Sequence, residues 1–117
     1  MIVKQVSVFV ENTVGRLADR TKILTDNNID LKASTIAETV DFGILRCIVE
    51  EPEKTVKILV ENGFSASISE VTGVSLEDKP GGLHKVLAVL AEAGIAVNYI
   101  YSTIKSAEGK AIIMMKT

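Results

Sequence analysis

A mixed α+β fold made of two copies of one small unit is predicted by three observations. A shift of 66 positions lays the chain on itself without a gap. The hydrophobic period alternates between two and about 3.6 residues, as strands and helices require. Turn-forming and helix-ending residues recur at matching places in both copies. Under the shift Val8 falls on Val74, Glu11 on Glu77, Asn12 on Asp78, Gly15 on Gly81, Leu17 on Leu83, Leu24 on Leu90, Ile29 on Ile95, Leu31 on Val97 and Gly43 on Gly109. Glycine on glycine together with the apolar pattern marks one unit used twice.

The elements follow in order. Val6, Val8 and Val10 alternate with Gln5, Ser7, Phe9 and Glu11, the period of a strand covered on one face. Leu17, Thr21, Leu24 and Asn28 continue at helical spacing, and the second copy repeats this with Leu83, Val86, Leu87 and Leu90 before Gly94. Two strands are expected next, Ile29 to about Glu38 and Gly43 to about Glu50, joined by a turn around Thr39 to Phe42. Pro52 suits the first turn of a second helix with the stripe Val56, Leu59 and Val60, closed by Asn62-Gly63. A fourth strand, Phe64 to Val71, runs almost directly into the first strand of the second copy.

The first unit is therefore β-α-β-β-α-β, the ferredoxin-like arrangement, with an antiparallel sheet and both helices on one face. The second is read as truncated to β-α-β-β, because Pro52 would map one position beyond Thr117. The expected boundary separates repeat 1 at 1–71 from repeat 2 at 72–117. The short link from Val71 to Val74 predicts that the repeats pair side by side. The strand Ala111 to Met115 is apolar on both parities, so one of its faces needs cover from the first repeat, a second chain or further residues. At least a homodimer is expected on that ground.

With 117 residues, 47% hydrophobic and 24% charged, the chain is a packed domain rather than a disordered one. Thirteen Lys and Arg against fifteen Asp and Glu give a net charge of -2, which disfavours nucleic acid and anionic membranes as partners. The lone Cys47 cannot form an internal disulfide, no signal-peptide layout opens the chain, and no apolar run reaches the ~20 residues of a membrane span. A cytoplasmic location and no membrane association are expected.

The strand-to-helix junctions carry the chemistry. They are Glu11-Asn12-Thr13-Val14-Gly15-Arg16-Leu17 and Glu77-Asp78-Lys79-Pro80-Gly81-Gly82-Leu83. Open N–H groups at a helix start, with the positive end of the helix dipole, suit a carboxylate, and glycine lets it come close to the main chain. Asn12 or Asp78, just before those groups, offers an acceptor for an ammonium, so both ends of a free amino acid are served. The alternative is structural: Asn or Asp there as an N-cap worth about 1 kcal/mol, with glycine meeting only a backbone angle. Arg16 is read either as a partner for a ligand carboxylate or as a long side chain that fills the site or lies solvated.

A strand ending in Asn or Asp, then x-Pro-Gly-x-Leu opening a helix that Asn-Ile or Gly-Ile closes, resembles the ACT domain, a small amino-acid-binding module that regulates enzymes. The stretch Ile36 to Arg46 is similar to the hairpin of freestanding two-repeat members. The resemblance implies a ligand between the glycine turn of one unit and the second strand of the other. By position this nominates Asn12, Gly15, Arg16 and Leu17 facing Val97 and Asn98, and Asp78, Gly81, Gly82 and Leu83 facing Leu31 and Lys32. A free amino acid or similar zwitterion is the implied ligand and a regulated enzyme a possible partner.

Other reactive residues are read as structural. His84 has no ligand cluster at metal spacing and is expected on the surface. Cys47 is expected to be a buried, unactivated thiol. Tyr99 and Tyr101 suit cross-strand packing, and Glu50, Glu51 and Glu53 a solvated helix start. With no nucleophile–base pair, metal constellation or phosphate fingerprint, neither catalysis nor a cofactor is expected. The competing functions are a ligand-free assembly module and, further off, a small enzyme. RNA binding or metal delivery on the same fold would need exposed aromatics or a paired-cysteine loop.

Overall fold

The computed structural model describes residues 1–103 and 108–117, and among these are six strands and three helices. In chain order they are β1 (Ile2–Glu11), α1 (Arg16–Asp26), β2 (Ala33–Glu38), β3 (Phe42–Ile48), α2 (Pro52–Glu61), β4 (Ala66–Glu77), α3 (Gly82–Glu92), β5 (Tyr99–Ser102) and β6 (Lys110–Lys116). The fold is α+β in tandem ferredoxin-like repeats. Two compact units form, Lys4–Ser69 and Met1–Val3 with Glu70–Thr117, so β1 and β4 each cross the boundary.

In the first unit the strands run β2-β3-β1-β4. Antiparallel registers set Val8 opposite Leu45 and Ile36 opposite Leu45. Alternation then does the packing: Val6, Val8 and Val10 join Leu45, Cys47 and Val49 on the face that receives Leu24 of α1 and Leu59 of α2. Leu24 and Leu59 are 1% and 0% exposed. The α2 stripe departs from the expected one in part. Val56 and Leu59 face the core as expected, but Thr55 takes the place of Val60, which is 53% exposed; the Thr55 hydroxyl donates to the Glu51 carbonyl and so needs no water.

All three helices end alike. A left-handed residue, Asn28, Gly63 or Gly94, follows each last turn, and the next residue, Ile29, Phe64 or Ile95, donates its N–H back to Leu24, Leu59 or Leu90. This double-bonded stop satisfies the last carbonyls and brings an apolar residue back to the helix. It also corrects the strand limits. Ile29 and Leu31 pack on the core from a loop, so β2 begins at Ala33 rather than Ile29. Phe64 likewise closes α2, and the expected fourth and fifth strands merge into the single strand β4. β3 ends at Ile48, two residues short of the expected limit.

One charge lies in the first unit's interior. Arg20 of α1 is 3% exposed; its guanidinium donates to the carbonyls of Arg16 and Phe9 and to both Glu11 carboxylate oxygens, at 3.0 and 3.1 Å. It sits 4.2 Å over the Phe64 ring. A buried guanidinium needs that many acceptors and a π face to offset lost hydration. The repeat places Val86 at this position of the second copy, so the polar strut belongs to the first unit alone.

In the second unit the order is β4-β6-β5, with Val74 opposite Ile113 and Ile100 opposite Met115. The Met1 carbonyl accepts from Gly73 N–H and the N-terminal ammonium donates to the Gly73 carbonyl. Of the sources of cover expected for β6, the chain itself supplies it: Ile113, Met114 and Met115 are 8%, 3% and 3% exposed, so residues of both parities are buried without a second copy. Large apolar residues of this unit that stay exposed include Met1 and Ile2 at its N-terminal strand and Val89 and Ile95 on and after α3, at 66% and 44% for the last two.

Two outcomes follow. Leu59→Ala should lower the unfolding free energy by about 2–5 kcal/mol, whereas Val60→Ala should change it by no more than roughly 0.5 kcal/mol; urea unfolding measures both. A hydrogen bond from its own backbone N–H, then the charge of Arg20, holds the Glu11 carboxyl below the ordinary value of 4.5. Its contribution to stability is thus complete above the unfolded value and lost as pH falls through the lowered folded value. Glu11→Gln should be less stable than the native chain at neutral pH, and the difference should vanish on acidification.

Candidate functional site

Each unit turns from strand to helix in four residues, and both use the same device. Gly15 and Gly81 stand at the helix starts with φ of 86 and 87°, a left-handed conformation that other residues adopt only under strain. No side chain caps either helix. The first N–H groups of a helix have no intrahelical partner, so those of Leu17 and Ala18 in α1, and of Leu83 and His84 in α3, stay available. A side chain added at Gly15 or Gly81 would meet no atom within 4 Å, so the space beside each glycine is open.

Both turns are anchored to the chain that follows, at positions that differ by two in the repeat. Asn12 N–H donates to the Asp41 carbonyl at 3.0 Å and Asp78 N–H to that of Gly109 at 2.9 Å, tying each junction to the following hairpin. In the first unit the Asn12 amide adds bonds from Nδ2 to the carbonyls of Thr39 and Val40, both 3.3 Å. The helix-opening residues differ. Arg16 is exposed and pairs with Asp19 at 3.3 Å along its own helix. Gly82 is buried, and a Cβ there would lie 2.1 Å from the Glu77 carbonyl oxygen, so no side chain fits without moving the turn.

Beside the first turn is a groove of about 250 Å³ lined by Val10, Glu11, Asn12, Thr13, Leu17, Ile36, Glu38 and Gly43. It brings together two of the nominated residues, Asn12 and Leu17, with Gly15 and Arg16 on the adjoining turn. Its far wall comes from the β2–β3 hairpin, and Glu11, Ile36, Glu38 and Gly43 had not been singled out as site residues from the sequence. The available signal was Gly43, a strand glycine repeated as Gly109.

Leu31 and Lys32 lie just before β2 rather than within it, at the other end of α1, about 16 Å of helix away. Leu31 packs against the core, and Lys32 lines a second groove of about 330 Å³ with Asn28, Asp30, Glu50, Glu51 and Lys54. That groove carries both signs of charge and is partly self-paired, through Lys54 and Glu51 at 3.5 Å. In the second unit Val97 and Asn98 likewise precede β5, with Asn98 N–H bonded to the Lys116 carbonyl at 2.8 Å.

The other reactive residues have ordinary settings. Burial pushes the Cys47 thiol up to about 11, which leaves it protonated and unreactive at neutral pH. His84 is exposed on α3. Tyr99 and Tyr101 stack with ring centroids 6.4 Å apart. Among the described residues no three His, Cys, Asp or Glu side chains form a metal-holding group, and no helix is long and apolar enough to cross a membrane.

Solved structures share this architecture. Protein BT0572 from Bacteroides thetaiotaomicron is 42% identical, with a TM-score of 0.90 over 99% of this chain and 79% of that one. The ligand-free regulatory subunit of aspartate kinase from Thermus thermophilus shares the fold at 12% identity, TM-score 0.69, over 98% of this chain and 87% of that one. E. coli aspartokinase III, solved in complex with lysine and aspartate, matches at 16% identity and TM-score 0.52 over 98% of this chain and 28% of that one. No curated protein matches. The family model for the ACT domain pair matches residues 1–117, and with the duplicated glycine turns it establishes that this chain belongs to the ACT-domain pair family.

Proposed function

We propose that this ACT pair is a non-catalytic, cytoplasmic regulatory module that binds a free amino acid and passes the binding on through its own oligomer or a partner enzyme. The observation that carries the reading is the pair of uncapped helix N-termini, each opened by a left-handed glycine with clear space above it. Such a helix start gives a carboxylate two N–H donors and the positive end of a dipole. The match to a regulatory subunit of aspartate kinase, and to an aspartokinase solved with amino acids, supports the same reading.

In this reading the nominated residues divide the work. Gly15, Arg16 and Leu17, or Gly81, Gly82 and Leu83, present the main chain to the carboxylate. Asn12 or Asp78 stands at the ammonium end. Asp78 is the better ammonium partner, since its carboxylate is exposed while the Asn12 amide is engaged with the hairpin. A homodimer is the assembly we favour. Val89 and Ile95 support it, because two large aliphatics this exposed favour burial against a second copy.

A thermal-shift screen against the common amino acids tests the binding. A ligand at 100 times its dissociation constant should add about 2.7 kcal/mol of stability. Gly15→Val and Gly81→Val should each cost about 1–3 kcal/mol through backbone strain and remove the shift contributed by that turn. Full retention in both single variants and in the double variant would overturn the assignment. Sedimentation tests the assembly: the native chain should run as a dimer and Val89→Glu should shift it toward monomer. A monomeric native chain at micromolar concentration would contradict it.

A further inference from the structure

The groove beside Gly15 differs in character from the turn itself. Its floor is Val10, 3% exposed, and the buried backbone of Gly43. Its walls are Leu17 and Ile36, 39% and 46% exposed, two large aliphatics left partly in water. Gly43 makes this possible: a Cβ there would sit 3.0 Å from the Ala37 carbonyl and 3.3 Å from Cγ1 of Ile36, so only glycine lets Ile36 lie close over β3. The rim is polar, and its only charged groups, Glu11 and Glu38, are acidic. Arg20 holds Glu11 from beneath as a carboxylate.

We infer that this groove takes the side chain of an aliphatic α-amino acid of valine to leucine size, a selectivity that rests on the amino-acid reading above. A volume of about 250 Å³ falls below the roughly 300–1,000 Å³ of pockets for drug-sized ligands and suits one small molecule. The aliphatic floor and walls gain from burying methyl groups, and they would strip water from a charged side chain without replacing its hydrogen bonds. Glu38 on the rim complements the ammonium and repels a second carboxylate, while Glu11 is already engaged by Arg20. Leu17 is both a wall of the groove and the second residue of an uncapped helix, which sets the carboxylate donors at the groove's edge.

Calorimetric titration of the full chain with leucine, isoleucine, valine, phenylalanine, lysine and aspartate tests this. The three aliphatic amino acids should bind at least tenfold more tightly than lysine, aspartate or phenylalanine. Gly43→Val, which fills the floor, should weaken leucine at least tenfold. Ile36→Lys, at a half-exposed position on an edge strand, should do the same without disturbing the fold. Equal affinity for all side chains, tighter binding of a charged or aromatic one, or leucine binding unchanged in both variants would overturn the groove assignment. If that binding were still lost in Gly15→Val or Gly81→Val, the glycine-turn reading would stand without it. No binding of any amino acid would overturn both.

Discussion

Everything in this molecule depends on a backbone constraint at two places: a strand must become a helix in four residues without a side chain to cap the helix. Only a left-handed residue makes that turn, and Gly15 and Gly81 make it at nearly the same angle. The uncapped start leaves N–H donors open, and the hydrogen bond from the preceding Asn12 or Asp78 to the next hairpin fixes where they stand. Capping by Ser or Asp would stabilise each helix by about 1 kcal/mol and close the same donors. That this stabilisation is forgone twice, at equivalent positions, is the physical sense of the repeat.

The two units use one template with different interiors. In the first, two helices cover the sheet and leave Leu24 and Leu59 essentially without exposure, while Arg20 braces the end of β1 through Glu11. In the second, one helix is present among the described residues, Val86 stands where Arg20 stands in the first, and Glu77 is paired instead with Lys79 at 2.6 Å. A glutamate held by a buried guanidinium therefore stands beside the first glycine turn and one held by an exposed lysine beside the second, so equivalent turns acquire different chemistry.

Much of this was legible in the chain itself. The alternation of Val6, Val8 and Val10, the Leu24 and Leu59 anchors and the glycine or asparagine helix ends all obey local rules, so the elements and the ferredoxin-like order followed. The strand limits did not, because the apolar Ile29 and Phe64 resemble strand residues while serving as the hydrophobic return of a helix stop. Arg20 was hidden for a related reason: a charged residue in a helix reads as solvated until the fold supplies three backbone and side-chain partners and a ring. The groove depends on Ile36 and Gly43, which are 19 or more residues from Leu17 in sequence, and only the β2–β3 register brings them to it. The apolar β6 asks for cover on both faces by its pattern, and the chain supplies that cover itself.

The claim at the centre of this account is that open helix N-termini receive a ligand carboxylate. Amide proton–nitrogen spectra recorded while leucine is added test it most directly. The account predicts that the largest shifts fall on Leu17 and Ala18, with Gly43 and Ile36 moving alongside. Shifts confined to the polar groove around Lys32 and Lys54, with the Leu17 and Ala18 amides unmoved, would contradict it.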